Sequence, residues 1–186
     1  MPTTPNKVKF GLSKAYYAIF DETAGTYGNP VALPGAVSLS LEQQGETSTF
    51  RADNIDYWTS VSNNGYEGDL ELALIPDSFL TDVMGEVMDS TSGLQYELST
   101  AQPKAFALLF QFEGDQNATR HVMYNCKATR PSTASQTTPD GAIEPQTETI
   151  SVKASARPSD NIVKAKASAD SASYENFFSA VVVPSV

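Results

Sequence analysis

The sequence predicts a mainly β protein: an antiparallel β-sandwich or partly closed barrel with one flanking helix at about residues 77–89. Three observations carry that expectation. Several segments alternate apolar and polar residues with period two, which puts one face of a strand in a core and the other in water. Composition leans the same way, with 20 Ser, 17 Thr, 8 Tyr and 9 Phe. Only one stretch shows convincing helical spacing.

Taken in order, residues 1–6 hold two prolines and read as a flexible arm. Residues 8–20 are apolar and aromatic and fit two short strands meeting near Ser13 and Lys14. Residues 21–30, with two glycines and an Asn-Pro, form a loop. Residues 36–42 give the cleanest alternation, with Val37, Leu39 and Leu41 against Ser38, Ser40 and Glu42. Residues 69–75 repeat it, with Leu70, Leu72 and Leu74 against Asp69 and Glu71. Between them, residues 53–68 are rich in turn formers yet carry Ile55, Tyr57, Trp58, Val61 and Tyr66, and read either as half strand or as a long loop that docks on something.

Beyond Pro76, the residues Phe79, Leu80, Val83, Met84, Val87 and Met88 fall on one helical face, with Asp77 placed to cap it. Gly85 inside that span costs about 1 kcal/mol, so the helix must be held by packing. Residues 106–112 are apolar on both faces and predict a central strand. Residues 120–128 put Val122, Tyr124 and Cys126 on one side, and residues 149–156 put Ile150, Val152 and Ala154 inward. Residues 130–148 form a second long loop, residues 171–179 a short helix, and residues 181–183 a last strand. Residues 7–184 are thus expected to form a single domain of about ten strands.

Charge and composition exclude several functions. The 22 acidic residues against 12 basic ones leave a net charge of −10, which does not grip a phosphate backbone. One cysteine and one histidine exclude a disulfide framework and a Cys- or His-rich metal site, so no cofactor is expected. The N-terminus lacks the apolar stretch of a secretory signal, and no run of about 18 apolar residues spans a membrane. The sequon at Asn117 therefore has no expected use.

No catalytic set emerges. His121 and Cys126 stand five apart in one strand, so alternation sends them to opposite faces. The acids Asp53, Asp56, Glu67, Asp69 and Glu71 lack a calcium-loop pattern and read as a solvated face. Residues 65–68 are glycine-rich without the lysine and helix of a phosphate loop. Tyr57 and Trp58 have only Arg51 nearby, too little for a nucleic-acid site, and suit a core or subunit contact. An acidic β domain with long loops points to a structural or interaction protein rather than an enzyme.

Several stretches resemble the major tail (tail tube) proteins of siphovirus phages of Gram-positive bacteria. They are residues 6–12 with Tyr16, Tyr17 and Ala18; residues 30–42; residues 52–55 running on to 63–71; residues 73–77; residues 119–126; and residues 144–149. The resemblance implies a tail-tube fold of two packed β-sheets with a flanking helix. It implies homo-hexameric rings whose inner sheets join, and rings that stack into a tail tube through which DNA passes without specific binding. The implied partners are further copies of the chain, the tape-measure protein, the tail terminator and baseplate proteins. The implied location is the virion tail, assembled in the host bacterial cytoplasm. On that basis Tyr57, Trp58, Asn63, Asn64 and Tyr66 are candidates for the subunit and ring-stacking interface, with the N-terminal arm. Glu42, Asp69 and Glu71 are candidates for facing the lumen. The competing readings are a capsid decoration or tail terminator protein, a secretion-system tube, and a carbohydrate-binding sandwich or glycosidase using the acids between Asp53 and Glu71.

Overall fold

A computed structural model describes residues 8, 10–113, 118–137, 141 and 145–185. The expected arm at residues 1–6, Asn117 and parts of the 130–148 loop lie outside these residues. The described residues form thirteen strands: β1 (Leu12–Asp21), β2 (Thr26–Tyr27), β3 (Val31–Ala32), β4 (Ala36–Gln43), β5 (Thr47–Ala52), β6 (Ile55–Val61), β7 (Tyr66–Leu72), β8 (Val87–Met88), β9 (Gln95–Tyr96), β10 (Phe106–Phe112), β11 (Arg120–Ala128), β12 (Glu148–Ala154) and β13 (Lys164–Ala167). Nine of them share one antiparallel sheet with the path β2-β1-β10-β11-β12-β7-β4, to which β3 adds on β1 and β13 on β11. The sheet curls until β4 lies beside β1, but no ladder joins the two, so it is not closed.

Its apolar residues divide into two cores. Inside the curl, Tyr17, Leu70, Leu72, Phe79, Phe106, Leu108, Met123, Cys126, Ile150 and Val152 pack together. On the outer face of β1, β10 and β11, Ala18, Ala107, Leu109, Val122 and Tyr124 are covered by Ala167, Phe177 and Phe178 from the C-terminal segment. That is why β10 is apolar on both faces, as its sequence predicts. The C-terminal segment is clamped by Arg120, whose guanidinium lies 3.7 Å from the Tyr174 ring centre and 4.8 Å from that of Phe178.

The two cores exist because β11 changes partner along its length. Arg120 to Met123 pair with β13, whereas Cys126 to Ala128 pair with β12. Between them Asn125 has φ +44°, in the left-handed region that Asn tolerates better than most residues. Its side-chain amide donates to Ser155 Oγ (2.9 Å) and to the Ala156 carbonyl (2.8 Å), which fixes the end of β12. The irregularity inserts one residue into the alternation. Val122 and Tyr124 therefore face the outer core and Cys126 the inner one, not the single face that strict alternation predicts.

Other expectations are corrected in the same way. The N-terminal segment is one strand with a bulge, not two strands, because Lys14 takes φ +50° and the register slips between Ser13 and Tyr16. The helix expected at 77–89 is one α-turn, α1 (Asp77–Phe79), followed by a π-helical turn at Leu80–Met84. Gly85, at φ +79°, ends it and frees Val87 and Met88 to pair with Tyr96 and Gln95. Asp77 makes no capping bond; Asp82 instead accepts the Tyr17 hydroxyl at 2.9 Å. Residues 171–179 form successive turns rather than a helix, and residues 181–183 form no strand. Val182 contributes its carbonyl to the buried Tyr124 hydroxyl instead.

Two predictions follow from this core. Asn125→Val should lower the unfolding free energy by about 2–4 kcal/mol, from left-handed strain and two lost hydrogen bonds. Asn125→Gly, which keeps the backbone conformation, should cost about half as much in urea titrations. Burial pushes the Tyr17 and Tyr124 hydroxyls from 10.0 up to about 12. The unfolded chain then ionises first, so stability is full below pH 10 and falls between pH 10 and 12. Tyr17→Phe or Tyr124→Phe should each flatten that fall.

Candidate assembly surfaces

The leaf formed by β4, β7 and β12 has two faces of opposite character. Leu39, Leu41, Leu70, Leu72, Ile150 and Val152 point into the inner core. The opposite face is built from cross-strand rows: Ser38–Glu71–Thr149, Ser40–Asp69–Ser151 and Glu42–Glu67–Lys153. Glu42, Asp69 and Glu71, which the sequence nominates, are thus brought onto one exposed face. The tight approach of β7 to β4 needs Gly68, where a Cβ would stand 1.9 Å from the Ser40 carbonyl oxygen. Hydroxyls organise the acids: Ser38 and Thr147 donate to Glu71 (2.8 and 2.6 Å), and Ser151 donates to Asp69 (2.6 Å). Those two donors, Thr147 first, hold the Glu71 carboxyl below its ordinary value. Lys153 lies 3.4 Å from Glu67, so four acids face one lysine across these rows.

The segment expected as a loop at 53–68 is instead a β-hairpin. β5 and β6 pair from Thr47↔Val61 to Ala52↔Ile55. Asp53 and Asn54 close it with φ +53° and +61°, the two left-handed residues that a tight hairpin turn requires. Arg51 locks the turn by donating to the Asn54 carbonyl (3.0 Å) and pairing with Asp56 (3.2 Å). Phe50 lies opposite Trp58, and Ala52 opposite Ile55, so one face of the hairpin is apolar. Phe50, Ile55, Tyr57 and Trp58 are 60%, 61%, 68% and 56% exposed.

The nominated interface residues therefore separate. Tyr57 and Trp58 sit on the hairpin. Asn63 and Asn64 shape its base, through the Asn63 side chain accepting the Gly65 N–H (3.1 Å) and the Asn64 N–H donating to Gln44 (2.8 Å). Tyr66 is half-buried at the start of β7, where its hydroxyl meets Lys164. Phe50 and Ile55 were missed as site residues. The available signal was the Asp-Asn pair flanked by Phe50-Arg51-Ala52 and Ile55-Asp56-Tyr57, which a turn rule tuned to Asn-Gly passes over.

A model of the phage tail tube protein family matches residues 5–178, nearly the whole chain. The chain belongs to that family. This tube protein is a structural component of the virion tail and not an enzyme. Among solved structures it is similar to a chain of the PVC sheath–tube complex of an extracellular contractile injection system in its extended state. That match has 10% identity and a TM-score of 0.49, covering 87% of this chain and 93% of the other. It is also similar to the tube-terminating cap of the anti-feeding prophage, with 9% identity and a TM-score of 0.46, covering 90% of this chain and 98% of the other. No curated protein matches the chain.

The remaining chemistry of the tube protein is structural. The inserted residue at Asn125 returns Cys126 to the face that His121 occupies, contrary to strict alternation. Five strand residues still separate them by about 16 Å. Cys126 is fully buried, and burial pushes its thiol up to about 12, so it is not a thiolate nucleophile. His121 stacks on Phe110 with ring centres 5.3 Å apart. Among the described residues no three His, Cys, Asp or Glu side chains converge as metal ligands.

The exposure of the hairpin yields a prediction. Phe50→Ser and Trp58→Ser should each change the unfolding free energy of the isolated subunit by less than about 0.5 kcal/mol. Leu72→Ala, in the inner core, should cost about 2–5 kcal/mol in the same denaturant titration.

Proposed function

We propose that the subunit closes into hexameric rings that stack into the tail tube, with the polar face of β4, β7 and β12 lining the bore through which DNA passes. The observation that carries this reading is the two-faced leaf: its inner face is core, and its outer face is an acidic, hydroxyl-rich surface. DNA carries roughly one negative charge per 1.7 Å of its axis, so such a lining repels rather than holds it. Passage is then low in friction and free of sequence recognition. The outer edge of β4 supports ring closure, since nothing pairs with it among the described residues and an edge strand seeks a partner. A head-to-tail contact of that kind generates a closed ring. Six copies per ring, a siphovirus of a Gram-positive host, and the tape-measure, terminator and baseplate partners follow from the resemblance in sequence. So does assembly in the bacterial cytoplasm.

Negative-stain electron microscopy across a concentration range tests the assembly. Stacked hollow rings are expected; trimers, or single rings that never stack, would instead indicate a decoration or terminator protein. The lining is tested by ejection kinetics of phage carrying Glu42→Lys, Asp69→Lys and Glu71→Lys together. Slower DNA release is expected, and an unchanged rate would place this face outside the bore.

A further inference from the structure

Beside Asn125 a cavity of about 690 Å³ opens between the β1–β2 turn, the end of β11 and the segment that follows β12. Its volume is that of a small-molecule site. Phe20, Tyr27 and Pro158 supply apolar lining, and Lys127, Arg157 and Glu22 supply charge.

Arg157 is the one charged residue that is buried among the described residues, at 8% exposure. Its guanidinium carbon lies 5.6 Å from the Tyr27 ring centre and 5.5 Å from that of Tyr124. The ring faces offset part of its charge but accept few of its directional N–H bonds. Only Nη2 has partners: it donates to Ser159 Oγ at 3.2 Å and lies 3.4 Å from Asp160 Oδ2. Nε and Nη1 are buried with no acceptor among the described residues. Those two atoms carry most of the group's donors. Leaving the donors of a buried cation unpaired is costlier than leaving neutral ones so. The cavity that Arg157 lines is where an acceptor can enter.

Two features identify that acceptor. A planar guanidinium matches a carboxylate. The local charges also balance, Lys127 and Arg157 against Glu22 and Asp160, so no surplus draws in a dianion such as phosphate. We propose that the cavity binds a monocarboxylate with an apolar stem, its carboxylate on Arg157 with Lys127 close by, and its stem against Phe20, Tyr27 and Pro158. One chemistry covers two sources: a free carboxylic acid, and an acidic side chain of a neighbouring copy.

Hexanoate is the probe, with hexanamide and inorganic phosphate for comparison. Each is titrated into the full chain, kept below its assembly concentration, while the proton–nitrogen signal of Arg157 Nε is followed by NMR. Hexanoate should shift that signal with a Kd of about millimolar or tighter. Hexanamide and phosphate should bind at least about tenfold more weakly. Arg157→Lys keeps the charge without the planar fork and should weaken hexanoate at least about tenfold. Lys127 is exposed, so Lys127→Gln leaves the fold intact should Arg157→Lys not fold; it should weaken hexanoate roughly three- to tenfold. An Arg157 signal that hexanoate does not move, equal binding of hexanamide, or a preference for phosphate would overturn the site.

Solid-state spectra of assembled tubes separate the sources. An Arg157 signal that still responds to hexanoate assigns the site to a free acid. A signal already at its bound position, and unresponsive, assigns it to a carboxylate of a neighbouring copy. A signal at its free position that hexanoate cannot move would overturn both.

Discussion

The change of partner along β11 is the constraint on which the rest of the subunit depends. A strand that paired with β12 over its whole length would extend one sheet with one core. At Asn125 the backbone takes a left-handed residue and the ladder divides, β13 continuing one leaf and β12 the other. Three consequences follow. The inner face of β11 is re-phased so that Met123 and Cys126 share the inner core. The outer face of β1, β10 and β11 acquires its own core beneath the C-terminal segment. The β4–β7–β12 leaf swings away with its polar face outward, leaving a slot beside it. One backbone irregularity, held by two side-chain hydrogen bonds, therefore divides β11 between the two cores.

What the subunit leaves unsatisfied is as informative as what it buries. A hairpin with half-exposed Phe and Trp and an outer strand edge are each unfavourable for a lone chain. The acidic leaf differs, because Glu71 and Asp69 already accept from Ser and Thr hydroxyls and Glu67 pairs with Lys153. It behaves as a finished surface, suited to face water and a passing polyanion.

Much of the fold was legible in the sequence where period-two alternation is undisturbed. β10, β12 and the polar placement of Glu42, Asp69 and Glu71 follow from it, whereas Val37, expected inward with Leu39 and Leu41, is exposed beside a register slip in β4, and Leu74, expected inward with Leu70 and Leu72, is exposed beyond the end of β7. Several misses share a cause: a single residue that breaks the period. Lys14 and Asn125 shift the phase of β1 and β11, and a rule that counts residues by twos cannot register an insertion. Gly85 stops the helix, although Val87 and Met88 continue its spacing by coincidence. The hairpin at 47–61 was hidden for another reason. Its apolar residues face solvent, so their pattern does not report burial within the subunit, and the dense Asn, Asp and Gly content nearby resembles a loop. The interface nominations suffered accordingly: Tyr57 and Trp58 fell on the exposed hairpin, whereas Tyr66, close by in sequence, belongs to the wall of the slot.

A helical reconstruction of assembled tubes by cryo-electron microscopy, at a resolution that shows side chains, is the most direct measurement. It should show Glu42, Asp69 and Glu71 of every copy facing the central channel, with the β4–β7–β12 leaves joined edge to edge around it. Tubes in which this leaf faces the exterior, or in which the channel is lined by the C-terminal segment over β1 and β10, would contradict the assignment of the polar face to the bore.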